Sequence, residues 1–132
     1  QDGHDDVAAL VAGAGLNRQA VILLMRPDPD LPDILGADLR RYNVHCNATD
    51  LTLADLDADG VTDIATLSPF APNSRVTILR NAGDGSFAER VSFQLAAPAV
   101  DLLIADLDRD GAPELIGVSG STNTIAIAPG VP

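Results

Sequence analysis

The chain has 132 residues, 46% of them hydrophobic, and a formal net charge of −11 at pH 7. That length supports one core of ordinary domain size, while eight arginines and no lysine exclude a surface that tracks nucleic-acid phosphates or anionic lipid. The longest apolar run, Ala20 to Met25, is too short to span a bilayer, so no membrane insertion is expected and cations are the natural partners.

Gln1-Asp2-Gly3-His4 has neither a basic patch nor an apolar stretch, and no signal peptide is expected in it. Apolar and β-branched runs then predict strands near 6–12, 20–26 and 39–45. Between the last two, the stretch from Arg26 to Asp33 holds three prolines, which remove three ladder donors and predict an exposed irregular loop. Leu35 to Tyr42 is the one segment that could make two helical turns, and Gly36 weakens that reading. The single Cys46 excludes an internal disulfide framework and is expected to be a small buried apolar residue. Asn47-Ala48-Thr49 fits an N-glycosylation acceptor, relevant only in a host that glycosylates secreted proteins.

The middle of the chain is the most regular part. Four antiparallel strands are expected near 50–55, 63–68, 75–81 and 86–94, followed by three more near 100–106, 114–119 and 123–128. Turn residues separate them, most clearly in Asn81-Ala82-Gly83-Asp84-Gly85-Ser86.

Repetition organises these elements. Leu53-Ala54-Asp55-Leu56-Asp57-Ala58-Asp59-Gly60-Val61-Thr62-Asp63-Ile64 aligns with Ile104-Ala105-Asp106-Leu107-Asp108-Arg109-Asp110-Gly111-Ala112-Pro113-Glu114-Leu115 at a shift of 106 − 55 = 51 residues. A third, shortened copy is Asp2 to Ala8, which matches Asp59 to Ala65 at a shift of 63 − 6 = 57. The aspartates concentrate in these copies, seventeen of the nineteen acidic residues being Asp, which marks them as loop ligands rather than solubilising charge.

Calcium takes six to eight oxygen ligands at about 2.3–2.6 Å, and a short loop supplies them only by turning sharply around the ion. In the middle loop Asp55, Asp57 and Asp59 are expected to offer side-chain oxygens, Gly60 the tight turn, Val61 its backbone carbonyl and Asp63 the closing carboxylate. In the last loop Asp106, Asp108, Asp110, Gly111, Ala112 and Glu114 take those places, and Glu114 is one methylene longer than Asp63. Carboxylates converging within about 4–6 Å repel by several kcal/mol per pair at an effective dielectric near 20, which argues against an ion-free structural role. An EF-hand would need a glutamate at its twelfth position and flanking helices; those positions are Thr66 and Gly117, and the flanks read as strands.

The Asp-x-Asp-x-Asp-Gly-x-x-Asp loop between strands, with Asn81-Ala82-Gly83-Asp84-Gly85-Ser86-Phe87 before the fourth strand, resembles the integrin-like FG-GAP and VCBS repeats. The resemblance implies an all-β fold of antiparallel four-stranded β-propeller blades with structural calcium, in secreted or cell-surface proteins that bind proteins or glycans. It divides the single repeat domain 1–132 into a partial blade 1–49, a full blade 50–99 and a partial blade 100–132. About two and a half blades cannot close a ring, so the chain is expected to be a fragment or to close by self-association.

Catalytic constellations are thin. His4 falls where a calcium loop uses only a backbone carbonyl, His45 sits near a strand end, and two glutamates leave little for glycosidase chemistry, so no enzyme activity is expected. A sugar site would use aromatic platforms, and with Phe87 and Phe93 expected in the core only Tyr42 and Phe70 remain for one. The expected function is a non-catalytic, calcium-stabilised extracellular or surface scaffold. The alternatives are a subunit that self-assembles through its incomplete terminal blades, and a lectin or adhesin fragment.

Overall fold

The computed structural model describes residues 7–12, 18–27, 35–45, 47–69, 73–95 and 98–129. They form ten strands: β1 (Val7–Ala12), β2 (Arg18–Pro27), β3 (Leu35–Asn43), β4 (Asp50–Ala54), β5 (Asp63–Ser68), β6 (Arg75–Asn81), β7 (Phe87–Gln94), β8 (Asp101–Ala105), β9 (Glu114–Ser119) and β10 (Thr124–Ala128). No helix occurs among the described residues. Within each of three sheets consecutive strands pair antiparallel, giving a first sheet β1-β2-β3, a middle sheet β4-β5-β6-β7 and a last sheet β8-β9-β10. This all-β arrangement is consistent with partial propeller blades that do not close a ring.

Two expectations are corrected. The segment weighed as a helix, Leu35 to Tyr42, is strand β3, because it pairs with β2 from Pro27↔Leu35 to Gln19↔Asn43. Of the irregular loop expected from Arg26 to Asp33, Arg26 and Pro27 belong instead to β2, and the rest lies outside the described residues. Proline is tolerated there because Pro27↔Leu35 is the last pair of the ladder, so its missing donor falls at the end and not in the interior. Residues 28–34, Cys46, Phe70 and the opening loop copy before Val7 lie outside the described residues.

The middle sheet is covered on both faces, which is why every residue of β5 is buried. Side chains alternate across a strand, so Ile64 with its partner Leu79 faces one way and Ala65, Leu67, Val76 and Ile78 the other. Ile64 and Leu79 pack with Val44, Ala48, Ala8, Leu10, Tyr42, Leu51 and Phe87, in the contact between first and middle sheets. The opposite face packs with Leu95, Ala99, Leu102, Leu115 and Ala126, in the contact between middle and last sheets. Phe87 and Phe93 are partly buried members of these two clusters.

Polar groups lock the sheets together. Ser74 Oγ donates to Ala99 O at 3.1 Å and accepts from Ala99 N at 2.7 Å, pinning the connector before β8. Asp50 Oδ2 accepts from Leu102 N at 3.2 Å, bridging the first strands of the middle and last sheets. Tyr42 packs edge-on against Phe87 with ring centroids 5.2 Å apart, and its hydroxyl accepts from Phe87 N at 3.2 Å. The aromatic residue read as a sugar platform therefore serves the contact between first and middle sheets.

Gly117 shows how closely the middle and last sheets approach. A Cβ there would stand 2.5 Å from Leu95 Cδ1 and 3.1 Å from the Ala99 Cβ. Leu95 is itself buried and has little room to swing away. Gly117→Val is therefore expected to destabilise by about 1–3 kcal/mol through overpacking, read as a lower thermal midpoint; an unchanged midpoint would show that the interface yields.

Candidate metal centre

Residues 55–62 join β4 to β5, and 106–113 join β8 to β9. Both loops fold the same way because their carboxylates cap the loop's own amides. Gly60 N donates to Asp55 Oδ2 at 2.9 Å, and Gly111 N to Asp106 Oδ2 at 3.1 Å. Val61 N donates to Asp59 Oδ1 at 2.7 Å, and Ala112 N to Asp110 Oδ1 at 2.9 Å. Asp59 N and Asp110 N reach Asp57 and Asp108 in the same pattern. These bonds hold Ala58 at φ 60° and Arg109 at φ 66°, a left-handed conformation that costs a residue with a Cβ roughly 1–3 kcal/mol. Gly60 and Gly111, at φ 86° and 94°, meet the same demand without that cost.

The turn brings carboxylates together. Oxygens of Asp55, Asp57 and Asp63 lie within 4.8 Å of one another, and so do those of Asp106, Asp108 and Glu114. Two oxygens on one calcium ion stand at most about 5 Å apart, twice the bond length of about 2.3–2.6 Å, so each trio fits such an ion. An all-carboxylate set suits a hard cation and not a thiolate-seeking metal. Asp59 and Asp110 stand outside the trios, with one carboxylate oxygen on a loop amide, and Val61 and Ala112 contribute amide donors to them.

Asp63 is the pivot of the middle loop. It is fully buried, yet its carboxylate is well supplied with donors: Oδ2 accepts from Leu56 N at 3.1 Å and Oδ1 from Asn81 N at 2.8 Å. Burial pushes the Asp63 carboxyl above its ordinary value; the two amide bonds oppose this, and the negative charges of Asp57 and Asp59 add to it. A cation among these oxygens would relieve that repulsion. In the last loop Glu114 Oε2 accepts from Leu107 N at 2.7 Å, so the longer side chain reaches the same amide from a less buried position.

Two neighbours of the centre were not anticipated as parts of it. Arg80 Nη1 stands 3.6 Å from Asp57 Oδ2. Asn81 clamps the loop from the end of β6: besides its amide bond to Asp63, its Nδ2 donates to Thr62 O at 3.1 Å, and its Oδ1 accepts from Gly83 N at 3.0 Å. The available signal was the Asn that opens the Asn81–Phe87 turn, read as a feature of that turn alone.

The same turn contains a titrating group. The Ser86 hydroxyl and then the Ser86 amide, both on Asp84 Oδ1, hold the Asp84 carboxyl below its ordinary value of 3.8. With the folded value below the unfolded one, this contribution is fully present above the ordinary range and is lost as pH falls through the folded value. An Asp84 titration followed by NMR is expected to centre below 3.8, and Ser86→Ala to move it upward.

Residues 55–117 match the family model of the FG-GAP-like repeat. Over this stretch, just under half of the chain, the protein is similar to the FG-GAP-like repeats. It runs from the first aspartate of the middle loop into β9, so the matched stretch contains both candidate centres. No curated protein and no solved structure matches the chain.

Proposed function

We propose that the chain is a non-catalytic, calcium-stabilised interaction module of an extracellular or cell-surface protein, with protein or glycan ligands. The observation that carries this reading is the repeated centre: two loops 51 residues apart, 106 − 55, close their amides onto carboxylates in one pattern and converge three acidic side chains each. The match of residues 55–117 to the FG-GAP-like repeat model supports an interaction module. In the proposed sites Asp55, Asp57 and Asp63 hold calcium in the middle loop, and Asp106, Asp108 and Glu114 in the last. Asp59, Asp110 and the carbonyls of Val61 and Ala112 complete the two sets of ligands. When bound, the ion neutralises the carboxylates and braces the β4–β5 and β8–β9 turns.

Calcium removal tests this. With dissociation constants of about 0.1–1 mM, usual for extracellular modules, 1 mM calcium stabilises by about 0.4–1.4 kcal/mol per site. The thermal midpoint is then expected to rise by a few degrees, up to about ten, on passing from chelator to calcium. Calorimetric titration should show two sites, of which Asp55→Asn removes one and Asp106→Asn the other. Equal midpoints in chelator and calcium, with no heat of binding, would overturn the reading.

A further inference from the structure

The middle centre has a fixed cation beside it. By strand alternation Arg80 shares a face of β6 with Val76 and Ile78, and its Nη1 stands 3.6 Å from Asp57 Oδ2. The two side chains are largely shielded, at 21% and 15% exposure, and the Arg80 Nε is buried. The fold therefore holds this pair in surroundings where charges act more strongly than between mobile surface side chains. A guanidinium keeps its proton at any working pH, so the charge is permanent.

Asp57 belongs to the trio that gathers in this loop, with Asp55 and Asp63. Both of its oxygens are engaged: Oδ1 accepts from Asp59 N at 3.3 Å, and Oδ2 faces Arg80. An ion that takes Asp57 as a ligand must share one of them. On Oδ2, a bond of about 2.4 Å puts a calcium ion no more than about 6 Å from the guanidinium nitrogen. Like charges that close repel, and the ion carries two of them. With no ion bound the sign reverses, since Arg80 then offsets one of the four carboxylate charges that Asp55, Asp57, Asp59 and Asp63 bring to the loop.

The last centre is built differently at this place. The registers Ile64↔Leu79 and Leu115↔Ala128 put Pro129, which has no charge, where the middle sheet has Arg80. Arg109 lies inside the last loop at the place of Ala58 and is exposed, so solvent and salt screen it.

We infer that Arg80 is a tethered counter-cation of the middle centre: it steadies the Asp57 carboxylate while no ion is bound, and it weakens calcium binding there by repulsion. The loop thus keeps its carboxylates together without calcium and fills only as calcium rises. Arg80 is a positioning residue that acts through Asp57. The second half of the inference rests on the calcium reading of the loop, and the first half on the ion pair alone.

The test is calorimetric calcium titration of the chain carrying Asp106→Asn, in which only the middle site is read. Arg80→Met keeps an apolar stem and removes the charge, and is expected to tighten calcium binding about three- to tenfold. Arg80→Lys keeps the charge and should stay within about twofold of the parent. In chelator Arg80→Met should melt below the parent, and that deficit should vanish once Asp57→Asn has removed the partner charge. Arg80→Gln, a second neutral variant, carries the comparison if Met disturbs the packing, with circular dichroism as the check on folding.

Unchanged affinity in the neutral variants would overturn the inference. Weaker binding would do so too, since Arg80 would then present Asp57 to the ion. A Lys variant that binds as tightly as Met would assign the effect to packing and not to charge, which also overturns it. Failure of the calcium reading has another signature: no heat of binding in the parent or in any Arg80 variant. That result removes the competition, and the chelator melts alone then decide the ion-pair half.

Discussion

Asp63→Ala is expected to lower stability by roughly 2–6 kcal/mol, the largest effect of any loop substitution. The reason is geometric: the carboxylate is at 0% exposure and accepts from two backbone amides, Leu56 N in the β4–β5 loop and Asn81 N at the end of β6. Alanine leaves both donors without a partner, at about 1–3 kcal/mol each. For a chain of this size each kcal/mol moves the midpoint by about 3–4 °C, so thermal denaturation in chelator should show a fall of roughly 7 to 20 °C. Asp63→Asn retains one acceptor and should lose about half as much. Both changes should abolish the middle-loop calcium response. Asp59→Ala is the control: its carboxylate caps one exposed amide, that of Val61, and a cost of about 0.5 kcal/mol is expected in chelator. Equal midpoints for the Asp63→Ala and Asp59→Ala variants would show that the buried amides find other partners.

The second large effect separates two leucines that hold the same place in the repeat. Leu56→Ala is expected to cost about 2–5 kcal/mol, because the side chain is 1% exposed and belongs to the cluster between middle and last sheets. Leu107→Ala should cost no more than about 0.5 kcal/mol, because at 53% exposure that side chain leaves no cavity. Leu56 is also how the middle loop is anchored to the core, so its loss should weaken calcium binding there as well as lower the midpoint. Denaturant unfolding of the two variants, with calorimetric titration of each, measures both consequences. Similar losses at the two positions would mean that the last loop is anchored in a way its exposure does not reveal.

The middle strands were legible because local signals agree over them. β-branched runs mark β5 and β6, glycines mark the turns between strands, and β5 and β6 lie at the expected 63–68 and 75–81. Agreement was poorer in the first sheet, where the segment 35–43 carries no clean alternation and a two-turn helix was conceivable. Pairing with β2 decided it, and no local propensity records that pairing. The aspartates of the loops were visible as a spaced pattern, and Asp55, Asp57 and Asp63 do converge. Asn81, eighteen residues beyond Asp63, was not, because its bond to the carboxylate depends on β6 lying beside β5.

Spacing along the chain was enough to establish the repeat, the places where strands turn and the loops able to gather carboxylates, since each follows from the conformation and chemistry of neighbouring residues. Which carboxylate is buried and which leucine is anchored depends on what lies across from them. Leu56 and Leu107 have the same neighbours in sequence, Ala-Asp before and Asp after, and opposite surroundings in space. Only the stacking of one sheet on the next distinguishes them, because burial belongs to a pair of surfaces and not to either one alone.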